Sequence, residues 1–121
     1  MVLSNNPSAY ALERAKAFNK KAVCVSKADY PDMESREKRM IEVLEENGIE
    51  LIVLAGYLAI LSETFTKKYA DRIINVHPSL IPSFCGQGYY GLKVHEKALE
   101  YGVKVTGATV HFVNEIPDGG K

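Results

Sequence analysis

Leu51-Ile52-Val53-Leu54-Ala55 is an unbroken apolar run that stops at Gly56. It is too short for a helix and lacks the alternation of a half-exposed strand. Such a run, bounded by turn residues, is the pattern of a strand buried on both faces, as in a parallel sheet. Upstream, Ser35-Arg36-Glu37 opens a charged helix to about Asn47. Met40, Ile41 and Leu44 form its apolar face, and Gly48 is placed to end it. Before that, Ala22 to Ser26 is β-branched and short, the pattern of another buried strand. A helix over Ala9–Asn19 precedes it, with Ser8 as cap and Ala11, Ala15 and Phe18 as its core-facing stripe. Val2-Leu3 reads as a strand end, turning through Ser4-Asn5-Asn6-Pro7.

Downstream the alternation continues. Ser62-Glu63 begins a helix to about Tyr69, and Arg72 to Val76 is a strand. Ser83 to Gly91 has no period and is a loop. Leu92 to Tyr101 is helical, with Val94, Ala98 and Tyr101 on one face and Gly102 as terminator. Val103 to Val113 is a long β-branched stretch with a bend expected at Gly107. Strand and helix thus alternate four times before a last strand. This predicts an α/β domain over residues 1–121: an open, mostly parallel sheet, helices on both faces and right-handed crossovers.

Fifteen basic residues balance fifteen acidic ones, so there is no electrostatic footprint for nucleic acid. No apolar run approaches the roughly 20 residues of a membrane span. Met1-Val2-Leu3 runs directly into polar residues, so no signal-peptide pattern is present. Cys24 and Cys85 are unspaced for metal and read as free thiols of a cytoplasmic protein.

The chemistry concentrates where the Arg72–Val76 strand ends. In Ile73-Ile74-Asn75-Val76-His77-Pro78-Ser79-Leu80-Ile81-Pro82, Asn75 and His77 are two apart and project to one face. Pro78 has no N–H for a ladder and should stop the strand there. Ligands of open α/β sheets bind at that carboxyl end. Of the other histidines, His95 sits mid-helix and reads as a surface or supporting residue, and His111 reads as a structural hydrogen-bonder inside the last strand. Asp118 precedes Gly119-Gly120. That pair reads either as a plain turn or as an acid that the backbone can bring close to His77. A carboxylate beside an imidazole favours the protonated ring. An Asn, a His and an Asp at a strand-end site suit acyl-type transfer, with donors for a developing oxyanion. No Gly-x-Ser-x-Gly, Gly-x-Gly-x-x-Gly, P-loop or zinc motif is present, so direct attack by a substrate amine is favoured over a covalent intermediate. Gly86-Gln87-Gly88 reads only as a flexible loop.

The chain resembles the phosphoribosylglycinamide formyltransferases, the folate-dependent glycinamide ribonucleotide transformylases. The resemblance is carried by Ser4-Asn5 with Tyr10 to Ala15, by Ser35-Arg36-Glu37 and by Val53 to Leu61. Ile74 to Pro82, Val94-His95-Glu96, Val105 to Val113 and Asp118-Gly119-Gly120 complete it. It implies a Rossmann-like formyltransferase fold. It also implies transfer of a formyl group from 10-formyltetrahydrofolate to the amine of glycinamide ribonucleotide in purine biosynthesis, without metal. By the same resemblance Asn75, His77 and Asp118 are catalytic. His77 would donate a proton, Asp118 would favour its protonated form and Asn75 would hold the formyl oxygen. His111 would support this group. Leu58, Ala59, Ile60 and Leu61 would bind the pterin, together with Asn75, and Arg36 would contact the folate.

The resemblance also has departures. Family members begin with a strand and a phosphate-binding loop and continue past Asp118-Gly119 into a further strand and helix. This sequence therefore reads as a central portion of the enzyme, one partial catalytic domain, with self-association expected through its open edges. Ala59 stands where many members have Arg, and the Cys85–Gly91 loop is longer than the common form. Two other formyl-folate enzymes are alternatives, the deformylase and the methionyl-tRNA formyltransferase. The former carries His-His-Ser where this chain has His77-Pro78-Ser79, and the latter is expected to carry a separate basic domain. A non-catalytic folate-binding module is the alternative of another class.

Overall fold

A computed structural model describes residues 1–121. The residues gather into two compact units, Met1–Ile49 and Glu50–Lys121.

The first unit contains β1 (Val2–Ser4), α1 (Tyr10–Ala17), β2 (Ala22–Cys24) and α2 (Met33–Glu46). β1 and β2 pair in parallel, Leu3 opposite Val23. Helix α1 starts without a side-chain cap, because its N-cap residue is Ala9, which has no side-chain acceptor, and not the expected Ser8. Its buried residues are Leu12 and Ala15, not the expected Ala11 and Phe18, and Phe18 is 74% exposed. Helix α2 begins two residues before the expected Ser35. Asp32 caps it, with a carboxylate oxygen accepting the Ser35 N–H at 2.8 Å. Glu37, Met40, Val43 and Leu44 are its buried side chains, and Gly48 follows in a left-handed conformation.

The second unit contains β3 (Ile52–Leu54), α3 (Glu63–Lys68), β4 (Ile73–His77), α4 (Leu92–Tyr101) and β5 (Thr109–Phe112). The sheet order is β3-β4-β5. β3 and β4 are parallel, as strand–helix alternation requires, with Val53 opposite Ile74. β5 is antiparallel to β4, with Thr109 opposite His77 and Phe112 opposite Ile74. The parallel run therefore ends at β4. The chain leaves the sheet at His77 and re-enters beside it at Thr109, so the returning strand has to run backwards. The expected long strand from Val103 shrinks to four residues. Gly107 lies against Leu80, whose Cδ2 would be 2.9 Å from any Cβ added there.

Fully buried Ile73 and Phe65 anchor this unit, with Tyr69, Val94, Ala98 and Leu61. Burying Ile, Phe, Val or Leu side chains contributes about 1.5–3 kcal/mol each. Ser62 caps α3 through the Phe65 N–H. Gly102, left-handed at φ 83°, ends α4 by donating to the Ala98 carbonyl. Val53 corrects the expectation of a strand buried on both faces, since it is 57% exposed. By alternation and register it shares its face with Val76, Val110 and Phe112, all exposed. The other face carries Asn75, His77 and His111.

Candidate active site

β4 holds Asn75 and His77 on one face, and β5 sets His111 directly opposite Asn75. Antiparallel pairing gives this cross-strand contact. Asn75 Nδ2 lies 3.3 Å from His111 Nε2. His111 Nδ1 donates to its neighbour's carbonyl, Phe112 O, at 2.9 Å. A carbonyl only accepts, so Nδ1 carries the hydrogen and Nε2 of the neutral ring accepts from the Asn75 amide. The amide keeps its second N–H for another acceptor.

His77 is 3% exposed. Its Nε2 lies 2.8 Å from the Phe84 carbonyl and must donate to it. Nδ1 therefore faces Asp118, whose Oδ1 is 3.6 Å away, an ion-pair distance rather than a hydrogen bond. The same oxygen is 3.7 Å from His111 Nε2. One carboxylate thus stands between two imidazoles. Because His111 Nε2 serves as an acceptor for Asn75, the ring that can be protonated towards Asp118 in this arrangement is His77. Asp118 has φ 54°, a left-handed conformation that Asp tolerates better than most residues. Its Oδ2 accepts the Gly86 N–H at 2.8 Å.

These side chains open onto a cavity of about 730 Å³. Its wall includes Leu54 to Leu61, and Leu58 and Ile60 stand 65% exposed there. The loop from Gly86 to Gly91 and the turn from Asn114 to Asp118 line it as well. This size suits an organic ligand of drug-like dimensions, with apolar walls and few polar groups.

The structure brings Asn75, His77, His111 and Asp118 together beside Leu58, Ala59, Ile60 and Leu61. Arg36 lies in the first unit, where its guanidinium donates to the Tyr30 and Pro31 carbonyls at 2.9 and 2.8 Å. His95 is exposed on α4. The reading of Gly86-Gln87-Gly88 as a flexible loop and nothing else is corrected, since this loop lines the cavity and its Gly86 N–H holds Asp118. The Phe84 carbonyl on His77 was likewise not foreseen. The available signal was a pair of glycines just after a strand-end site, where backbone can approach closely.

Known proteins resemble the chain along its whole length. A family described as "Formyl transferase" matches residues 1–121. Phosphoribosylglycinamide formyltransferase of Haemophilus influenzae is 39% identical over 119 residues, 98% of this chain and 54% of that protein. The Bacillus subtilis protein of the same name is 38% identical, covering 99% of this chain and 59% of its own length. The crystal structure of glycinamide ribonucleotide transformylase 1 from Symbiobacterium toebii superposes with a TM-score of 0.86 at 38% identity, over 97% of this chain and 53% of that one. The chain spans a little over half the length of these relatives. On the match over residues 1–121, the chain belongs to the formyl transferase family.

Proposed function

We propose that residues 1–121 act as one formyltransferase catalytic domain, moving a formyl group from 10-formyltetrahydrofolate to the amine of glycinamide ribonucleotide, a step of purine biosynthesis in the cytoplasm. The observation that carries this reading is the meeting of Asn75, His77 and Asp118 on one cavity beside Leu58–Leu61. The names of the relatives supply the substrate.

The residues present fit a formyl folate. Leu58 and Ile60 offer exposed apolar surface for a flat heterocycle, and the backbone from Ala55 to Leu61 offers donors and acceptors at its edge. When bound, the folate supplies the activated formyl carbon. The chain's own groups do the remainder. Asn75 holds the formyl oxygen through its second amide N–H and stabilises negative charge there during amine attack. His77 carries a proton on Nδ1, beside the Asp118 carboxylate, and delivers it to the folate nitrogen as the bond from that nitrogen to the formyl carbon breaks; the attacking amine gives up its own surplus proton to the vacated Nδ1. His111 fixes the Asn75 amide by accepting its other N–H.

The test is to measure formyl transfer and folate binding on the same purified chain. Turnover lost in His77→Ala, with folate binding kept, supports the reading. Folate binding without any turnover in the unaltered chain would favour the binding-module reading instead. Absence of both would remove the assignment.

A further inference from the structure

We infer that Ser79 is a positioning residue whose buried hydroxyl aims the Phe84 carbonyl at His77 Nε2, and so fixes which ring nitrogen of His77 faces Asp118. The inference rests on the reading of His77 as the proton-holding group, and it concerns how that ring is set.

Ser79 is 1% exposed. Its hydroxyl donates to the Ser83 carbonyl at 2.5 Å, and the next carbonyl, that of Phe84, lies 3.4 Å from the same oxygen. Phe84 is the next link. Its φ of 49° is left-handed, an uncommon region for a bulky residue, and such a conformation persists only where its surroundings hold it. Its ring lies 6.3 Å from that of Tyr89 and 6.0 Å from that of Tyr101, the latter edge-on. Ser79 grips the backbone on one side while these rings anchor the side chain on the other. The carbonyl so aimed accepts the His77 Nε2–H at 2.8 Å. β5 braces the turn: the Thr109 hydroxyl donates to Ser79 O at 2.7 Å and accepts the Ile81 N–H at 3.0 Å.

The consequence for His77 is chemical. Which nitrogen of an imidazole carries the proton is set by the hydrogen bond that the other makes. With Nε2–H committed to a carbonyl, protons are gained and lost only at Nδ1, on the Asp118 side. Two residues after Phe84, the Gly86 N–H holds the other Asp118 oxygen. One short segment therefore sets both partners of the pair, and Ser79 is the side chain that holds its first half. Without the hydroxyl, the Ser83 carbonyl loses its donor, Phe84 relaxes towards ordinary φ, and Nε2 loses its aligned acceptor.

The test reads the tautomer directly, on the whole chain labelled with ¹⁵N-histidine, by long-range nitrogen–proton NMR above the titration of the rings. In the unaltered chain neutral His77 is expected as the Nε2–H form and His111 as the Nδ1–H form. In Ser79→Ala the ratio of Nε2–H to Nδ1–H at His77 should fall about fivefold, the factor that one net hydrogen bond is worth. His111, held by Phe112, should not move, which separates a positioning role from general loss of structure. Should Ser79→Ala not fold, Ser79→Cys, a weaker donor of similar volume, takes its place with the same expectation. His77 found as Nδ1–H in the unaltered chain, or an unchanged His77 ratio in a folded Ser79 variant, would overturn the inference. Because the readout needs no turnover, a chain without formyl transfer but with the expected tautomers would sink the functional reading alone.

Discussion

Asp118 Oδ1 stands 3.6 Å from His77 Nδ1, while the opposite nitrogen of that ring is committed to a backbone carbonyl. The carboxylate can therefore act on only one nitrogen of the His77 ring. Asp118→Asn tests this cleanly. Asn tolerates the left-handed backbone, and its amide oxygen can still accept the Gly86 N–H. The variant should keep its circular-dichroism spectrum and its folate affinity. Its turnover should fall by about 10²–10⁴, the usual range for a general acid–base contribution. Turnover within about twofold of the unaltered chain would exclude the Asp118–His77 pair from proton transfer.

Asn75 carries a separate prediction, because its proposed role is to act on charge and not on a proton. Replacing it by Ala removes the donor proposed for the formyl oxygen and also uncovers His111 Nε2. Loss of one oxyanion donor costs about 10²–10³ in turnover. The loss should appear in kcat with little change in the KM for the folate. A large KM change with intact kcat would make Asn75 a binding residue only.

Much of this site was legible because strand geometry has a period of two. Asn75 and His77 share a face whatever the tertiary structure, and Pro78 ends the strand. Gly102 and Gly48 end helices for local reasons. What could not be read depends on partners distant in sequence. The burial of Leu12 in place of Ala11 is decided by packing, not by the spacing of apolar residues in a two-turn helix. The antiparallel return of β5 depends on where the chain re-enters the sheet. The Phe84 carbonyl is a main-chain group that no residue type advertised, and for the Gly86 N–H the glycine pair signalled only that backbone could approach closely there. The Asp32 cap was legible in principle, as a capping acid three residues before Ser35.

That cap makes stability depend on pH. The Ser35 N–H, then the Ser35 hydroxyl, hold the Asp32 carboxyl below its ordinary value. A group whose folded value is depressed stabilises fully above its unfolded value. It loses that contribution as pH falls through the folded value. Asp32→Ala should therefore melt lower than the unaltered chain at about pH 7, and the two should converge at about pH 2. Thermal melts at both pH values check this. A gap of equal size in acid would mean that the carboxylate charge contributes nothing to the cap.

Gly120 and Gly119 should differ in their tolerance of a methyl group, and the reason is what each would strike. A Cβ on Gly120 would overlap the carbonyl of Phe112, which is backbone of β5 and cannot turn aside. Phe112 also donates its N–H to the Lys121 carbonyl at 2.6 Å, so residues 120–121 run tight against this strand. Gly120→Ala must push them away, and Asp118 lies only two residues back. On Gly119 the obstacles belong to Ile116, its Cγ2 at 2.5 Å, Cβ at 2.8 Å and carbonyl at 3.2 Å; rotation clears only the first, so the turn itself must give, but no strand backbone is struck. Gly120→Ala should cost about 1–3 kcal/mol in denaturant unfolding, as overpacking does. It should lower turnover as well, because the carboxylate leaves His77 Nδ1 and the Gly86 N–H together. Gly119→Ala should cost less in both measurements. Equal losses, or the reverse order, would show that Asp118 is held by its own turn rather than by the contact of Gly120 with β5.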